Sequence, residues 1–433
     1  MRKSTFLIVI LAAYVFSYAQ NVVPIGDAKK ASMNFLAERV NITSAKSELV
    51  LTLQQTVTDE DGTPLYYRFQ IGDRGFVIVS AVDAIAPVLA FSLESNYEGN
   101  NSSEYLLNQY AKGIKLVKKY PELAYSDAKG AWKRYSAANF TVNDTKGVTL
   151  SAVEPLTTSN WDQGRYYNAI CPFNPNVSNS ADLDNRAYAG CVAVAMSGLL
   201  YYYRYPDKGS IGYSYIPVDR GDSQNPLNPP FTYPRQVISP SQQNFNYDAM
   251  TNTLNSYNHE VAKLMYNTGV SAAMSYGYAG SGAQSDFAFQ QMKDIWRYSS
   301  NAAIRRYQEF NNYRDWSSQV LKPELNAMRP LYYSAYPATG SGHAWIVDGY
   351  IDVDSVTTYY HCNWGWGGMD NGFFALGAFK SKYVAGGTDV VFNAGESVFA
   401  GLADSALCAN ALAKPATSFK RNTAHSGSIS DGA

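Results

Sequence analysis

Hydrophobic spacing divides the chain into two folded units separated by a polar stretch. Residues 27–40 carry apolar side chains at helical intervals, with Ala31, Phe35 and Val40 near one face. Val50–Gln54, Leu65–Ile71 and Gly75–Ser80 then read as strands, the last a β-branched run bounded by turn residues. Helical spacing returns over Ser103–Lys119 and stops before Pro121. Together these predict a compact α+β unit over about residues 20–125. From Ser126 to about Asn160 the periodicity fades into Ala, Ser, Thr, Lys and Asn, the composition of a linker, with Lys146-Gly147 in its most polar part.

A larger unit is expected over about residues 150–402. Its first helix runs from Gly190 to about Arg204 and ends before Pro206, with Val192, Met196, Leu199 and Tyr203 on one stripe. A polar Pro/Asn-rich region covers 206–245, and helices are expected over Ala249–Thr268, Ser285–Arg297 and Asn312–Met328. The spacing puts His259 in the middle of the first of these. Tyr276–Ser285 reads as a Gly/Ser/Ala loop. The pattern then becomes all strand: Pro330–Ala335, Ala344–Ile351, Thr357–Cys362, Gly372–Ala375 and Ser397–Ala400. Helices first and strands second predict an α+β fold with segregated halves. The tail from residue 403 to 433 has a small, polar composition that predicts disorder.

Composition narrows the function. With 35 basic and 36 acidic residues the net charge is −1, which gives no basis for binding nucleic acid or an anionic membrane. Residues 1–19 have the layout of a secretory signal: Arg2 and Lys3, an apolar run from Phe6 to Val15, then Ser17-Tyr18-Ala19 as the cleavage site. A transmembrane helix is the competing reading, but the apolar run is short and ends in polar residues. The expected product is a secreted protein with no membrane segment once the signal is removed. Cys171, Cys191, Cys362 and Cys408 are too dispersed for a dense disulfide framework, although two disulfides remain compatible with the count.

Ala189-Gly190-Cys191-Val192-Ala193 places a thiol at the expected first turn of an apolar helix. There, unpaired backbone N–H groups and the macrodipole favour a thiolate. Of the four histidines, His343 opens a strongly apolar strand, at a distance from Cys191 close to the roughly 130–150 residues of papain-like enzymes. Asn363 lies in the following strand. The order Cys, His, Asn is that of a nucleophile, a general base and a group that orients the base. Each residue alone is equally compatible with packing. His361-Cys362 supplies too few ligands for a closed zinc site, and no cofactor or metal is implied.

These segments resemble the streptopain family of bacterial cysteine peptidases, which includes interpain. The resemblance rests on Ala189–Ala193 with the helix running to Pro206, on Gly342-His343-Ala344-Trp345-Ile346-Val347-Asp348-Gly349, and on His361 to Phe374 with its Asn-Trp-Gly-Trp-Gly-Gly core. Gly75–Ser80 continuing to Pro87-Val88-Leu89 is similar to the core of the family's propeptide. The resemblance implies a papain-like fold, with a helical half and an antiparallel β half, preceded by a small α+β propeptide domain. It implies Cys191 as nucleophile, His343 as general base and acid, Asn363 as orienting residue and Trp364 as a shield for that contact. Gln163, in Trp161-Asp162-Gln163-Gly164, takes the oxyanion-hole role. The Tyr276–Ser285 loop resembles the substrate-binding loop, which implicates Tyr276, Gly280, Ser281, Gly282, Ala283 and Ser285, with Gly342 opposite.

The expectation is a secreted bacterial zymogen. Residues 20–146 form an inhibitory propeptide, 147–402 the catalytic domain, and activation requires a cut near Lys146. Its partners are protein and peptide substrates and its own propeptide. The alternatives are a catalytically inactive surface-binding or inhibitor-like relative, and a Cys-His amidase or transpeptidase. Cys362 beside Asn363 departs from the family, where an apolar residue stands, and the tail with Cys408 has no counterpart there.

Overall fold

The structure is a computed structural model and describes residues 22–39, 50–124, 127–141, 151–174, 185–209, 211–221, 229–336, 342–353, 357–377 and 395–413. The signal over 1–19, the cleavage point at Lys146 and residues 414–433 lie outside the described residues. The N-terminal unit comprises α1 (Ile25–Arg39), β1 (Leu51–Thr58), β2 (Pro64–Ile71), β3 (Phe76–Ser80), β4 (Val88–Ser92), α2 (Asn101–Lys119) and α3 (Ala128–Tyr135). The four strands form an antiparallel meander. β3 and β4 are buried at every position, consistent with their continuous apolar runs.

The C-terminal unit begins with the short β5 (Ala152–Val153) and α4 (Cys191–Tyr203). β6 (Tyr213–Tyr215) pairs with β9 (Gln236–Ile238), and β7 (Val218–Asp219) pairs with β8 (Phe231–Thr232). Then come α5 (His259–Ser271), α6 (Ser285–Asp294), β10 (Ala303–Arg306), α7 (Tyr313–Trp316) and α8 (Lys322–Asn326). β11 (Leu331–Ala335), β12 (His343–Asp352), β13 (Thr358–Asn363), β14 (Gly372–Phe374), β15 (Ser397–Ala400) and α9 (Ser405–Ala413) complete it. Among the described residues one sheet runs through both units, in the order β1-β2-β3-β4-β14-β13-β12-β11-β15-β10, with β5 alongside β12. The junction is β4 against β14, where Phe91 faces Phe373 and Ala90 faces Phe374.

α4 is the central helix. It is apolar all round and buried at nearly every position, as a core helix must be. Leu199 and Leu200 are fully buried, and each contributes about 1.5–3 kcal/mol by leaving water. Gly198 lets the helix approach β12, since a Cβ there would stand 2.6 Å from the Ile346 side chain. This contact fixes the distance between the helix that starts at Cys191 and the strand that starts at His343.

Four expectations from the sequence need correction. The stretch read as linker contains α3, because Ala128, Trp132 and Tyr135 form one apolar stripe that the Ala/Lys-rich composition obscures. Trp132 donates its indole N–H to the Ile85 carbonyl at 2.7 Å, and Asn34 donates to the Tyr135 carbonyl at 2.6 Å. α5 starts ten residues later than the spacing suggests, at His259 rather than Ala249. Asn258 caps it there by accepting from the Glu260 and Val261 N–H groups at 3.1 and 3.2 Å. His259 therefore sits at a helix start, not mid-helix. The helix expected over Asn312–Met328 contains a π-turn at Ser317–Leu321 between α7 and α8. Finally, the tail from residue 403 is ordered over Ser405–Ala413 as α9, whose buried Cys408 joins the core beside α4.

Candidate active site

Gly190 has φ +90, a conformation open to glycine, and a Cβ there would lie 2.7 Å from the Met274 sulfur. The turn it makes starts α4 at Cys191. The Ala189 N–H donates to the Gln163 carbonyl at 2.9 Å, so the segment carrying Gln163 is tied to the approach to Cys191. Asp162 fixes the Gln163 loop by accepting the backbone N–H groups of Gln163 and Gly164. The Trp161 carbonyl accepts the Gly367 N–H at 3.0 Å. That bond docks the Trp-Gly-Trp-Gly-Gly turn onto the same segment.

His343 opens β12, whose neighbour β13 ends at Asn363. The imidazole lies roughly parallel to Trp345 and Trp366, with ring centroids 6.0 and 6.2 Å away. Its Nε2 stands 3.0 Å from the Trp364 carbonyl oxygen. A carbonyl only accepts, so Nε2 carries the proton and Nδ1 is the basic nitrogen. Asn363 does not take that proton. Its Nδ2 donates to the Ser159 carbonyl at 2.6 Å, and its Oδ1 accepts the Gly365 N–H at 3.3 Å. Trp364 is buried, donating Nε1–H to the Asp370 carbonyl at 3.1 Å and its backbone N–H to Asn371 Oδ1 at 3.0 Å.

The electrostatics match a resting pair. Burial pushes the Cys191 thiol above the ordinary thiol range, against the pull of the Ala344, Val192 and Cys191 backbone N–H groups. Burial pushes His343 down to about 4, and the Trp364 carbonyl offsets only part of that shift. At neutral pH the pair is therefore thiol and neutral imidazole. The other three cysteines are buried free thiols.

The loop residues divide. Gly280 and Gly282 are exposed, Ala283 is half-buried, and Ser275 and Gly282 exchange backbone hydrogen bonds at 2.8 and 3.2 Å. Ser281 is turned inward, accepting the Gly277 N–H on its hydroxyl at 3.0 Å, while its carbonyl lies next to Gly190. Ser285 is buried and bonds the Tyr332 hydroxyl at 2.9 Å. Gly342 lies against the Tyr336 ring. Tyr276 is fully buried beside Cys171 and Gly269, so it belongs to the core beneath the loop and not to the loop's outer surface. Its place in a polar, glycine-rich stretch concealed that.

Residues that the sequence reading left without a role hold the N-terminal unit against the site. Asp370 is fully buried with φ +58. It accepts from the N–H groups of Glu98, Gly99 and Asn100 at 2.6, 3.1 and 2.8 Å, from Asn100 Nδ2 at 2.9 Å and from the Ser103 hydroxyl at 2.5 Å. It thus sits at the start of α2, where orphan N–H groups and the helix dipole favour an anion. Ser95 donates to the Asn371 carbonyl at 2.6 Å, Tyr359 to the Val88 carbonyl at 2.7 Å and Tyr110 to the Ala375 carbonyl at 3.2 Å. The available signal was a carboxylate next to Asn371 inside a glycine-rich turn that otherwise needs no charge.

The model for the Peptidase C10 family matches residues 161–374, and the model for the Spi protease inhibitor matches residues 19–114. Streptopain of Streptococcus pyogenes is 29% identical over 347 residues, covering 78% of this chain and 80% of that protein. The thiol protease/hemagglutinin PrtT of Porphyromonas gingivalis is 25% identical over 363 residues, covering 81% of this chain but 38% of PrtT. A Prevotella intermedia prointerpain A fragment has the same fold, with a TM-score of 0.60 at 21% identity over 82% of this chain and 99% of that one. The chain is a cysteine peptidase similar to streptopain, made as a zymogen, with a C10-type catalytic region and an inhibitor-like propeptide packed on it.

Proposed function

We propose that the chain is a secreted bacterial endopeptidase that works through a Cys191 thiolate and His343. The observation that carries this reading is Cys191 at the first turn of a buried helix, with the His343 strand packed across it. In the working state the Cys191 sulfur attacks the scissile carbonyl carbon. His343 then gives its proton to the departing amine, leaving an acyl-enzyme that water hydrolyses. Asn363 Oδ1 would take over the Nε2–H of His343, and Trp364 would keep water from that contact. The Gln163 side chain and the Cys191 N–H would hold the oxyanion. Gln163→Ala should lower kcat about 100- to 1,000-fold with little change in KM, measured on casein. The open surface at Gly280 and Gly282 suits an extended peptide, with an apolar P2 side chain near Gly190.

Latency follows from the same contacts. The propeptide grips the turn from Trp364 to Asn371 through Asp370 and Asn371. That turn presents the Trp364 carbonyl, which engages the His343 proton that Asn363 would orient. A cut near Lys146 would free the turn and let the imidazole pair with Asn363 and the thiol. Full-length protein is expected to be nearly inactive on casein under dithiothreitol. Trimming near Lys146 should produce activity that an epoxysuccinyl inhibitor of cysteine peptidases blocks. Equal activity of the intact chain would refute the zymogen mechanism, and a folded, trimmed, inactive protein would refute the peptidase reading.

A further inference from the structure

Asp348 and His361 face each other inside the catalytic domain, on the adjacent strands β12 and β13, and the mechanism above uses neither. The Asp348 side chain is fully buried; its Oδ1 stands 2.5 Å from His361 Nδ1. Its Oδ2 accepts the Thr157 N–H at 2.8 Å and the Thr157 hydroxyl at 2.6 Å. On the other side of the ring, His361 Nε2 stands 2.5 Å from Oε1 of Glu94, which belongs to the propeptide just beyond β4. A ring with a carboxylate oxygen at each nitrogen donates from both and is an imidazolium. Phe373 of β14 closes its edge at a centroid distance of 5.2 Å. Cys362, the next residue along β13, is kept as the neutral thiol by burial.

We propose that the Asp348–His361 pair is a carboxylate-binding site of the catalytic domain, that the propeptide fills it with Glu94, and that the proton on His361 sets how firmly the propeptide is held. This rests on the zymogen reading above. Without Glu94 the buried pair is a neutral ion pair, balanced by Asp348 alone. With Glu94 docked, burial works against the charged ring, but Asp348 and Glu94 outweigh it and push His361 up to about 10. Docking therefore raises the affinity of His361 for its proton, and protonation in turn raises the affinity for Glu94. The sign follows: the extra hold is complete below the pKa of the undocked pair and is lost as pH rises through about 10. Glu94 is half-exposed, so solvent reaches the carboxylate that must leave. The site also lies next to the catalytic residues, since Asn363 Nδ2 comes within 3.5 Å of the Thr157 hydroxyl that bonds Asp348.

The test uses the full-length zymogen carrying Cys191→Ala, which cannot process itself. The chain has four histidines, so imidazole NMR with His361→Gln for assignment resolves the ring. His361 should titrate well above the ordinary histidine range, and Glu94→Gln should lower its midpoint by at least one pH unit. Amide-exchange protection of β4 and α2, corrected for intrinsic rate, should fall at least tenfold as the wild-type ring deprotonates. In Glu94→Gln it should start about ten- to a hundredfold lower at neutral pH and lack the alkaline step. A His361 midpoint that Glu94→Gln leaves unchanged overturns the site. So does protection that ignores the titration, a result the wild-type pH profile gives without any variant at Glu94. Neither readout requires activity, and casein hydrolysis by the processed wild type tests the peptidase reading separately.

Discussion

Cys191→Ala should reduce casein hydrolysis by the processed enzyme by about ten-thousand-fold or more, while leaving its fold intact. Removing the nucleophile of a concerted set removes nearly all the chemistry, because the remaining members cannot form the acyl intermediate. The substitution takes one sulfur from a half-buried position at a helix start, so stability should change by no more than about 1 kcal/mol. Thermal unfolding beside the activity assay separates the two effects. Residual activity within tenfold of wild type would mean that Cys191 is not the nucleophile.

Asp370→Asn should loosen the propeptide more than any other single change outside the core. Asparagine tolerates the left-handed backbone at this position, so the variant tests the charge and not the turn. Five donors converge on the carboxylate, and its two oxygens share them. In either orientation the amide NH₂ of asparagine would face N–H or O–H donors. Breaking a buried, charge-assisted cluster of this kind costs about 3–5 kcal/mol. Amide protection across α2 should drop a hundredfold or more, and processing near Lys146 should accelerate at least tenfold. Because Trp364 donates to the Asp370 backbone carbonyl, which the substitution retains, the processed enzyme should keep near-normal KM. Unchanged processing would show that the α2 contact does not hold the latent state.

The placement of Cys191, His343 and Asn363 in the fold was legible because each is announced by its own neighbours. Gly190 turns before Cys191, an apolar strand follows His343, and a glycine-rich turn follows Asn363. The elements of both units were legible where spacing was regular, as in α2, α4 and β11 to β13. What binds the two units was not. β4 pairs with β14 across most of the chain, and no local pattern encodes a pairing between short, fully buried strands. Asp370, Asp348 and His361 gain their roles from Glu94, Gly99 and Ser103, residues far away in sequence. Burial also overrode composition: Trp132 and Tyr135 fold a segment that reads as linker, and Cys408 anchors a helix in a tail that reads as disordered. Tyr276 points inward from a loop made mostly of Gly, Ala and Ser.

The central claim is that the propeptide keeps Cys191 and His343 as a neutral, uncoupled pair until it is removed. The rate of Cys191 alkylation by iodoacetamide as a function of pH tests this directly, since the other three cysteines are buried. In the intact zymogen the rate should be low at neutral pH and rise only above the ordinary thiol range, following the raised thiol pKa. After processing it should be fast at neutral pH and stay so into the acid range, the signature of a thiolate paired with imidazolium. Identical profiles before and after processing would contradict the account.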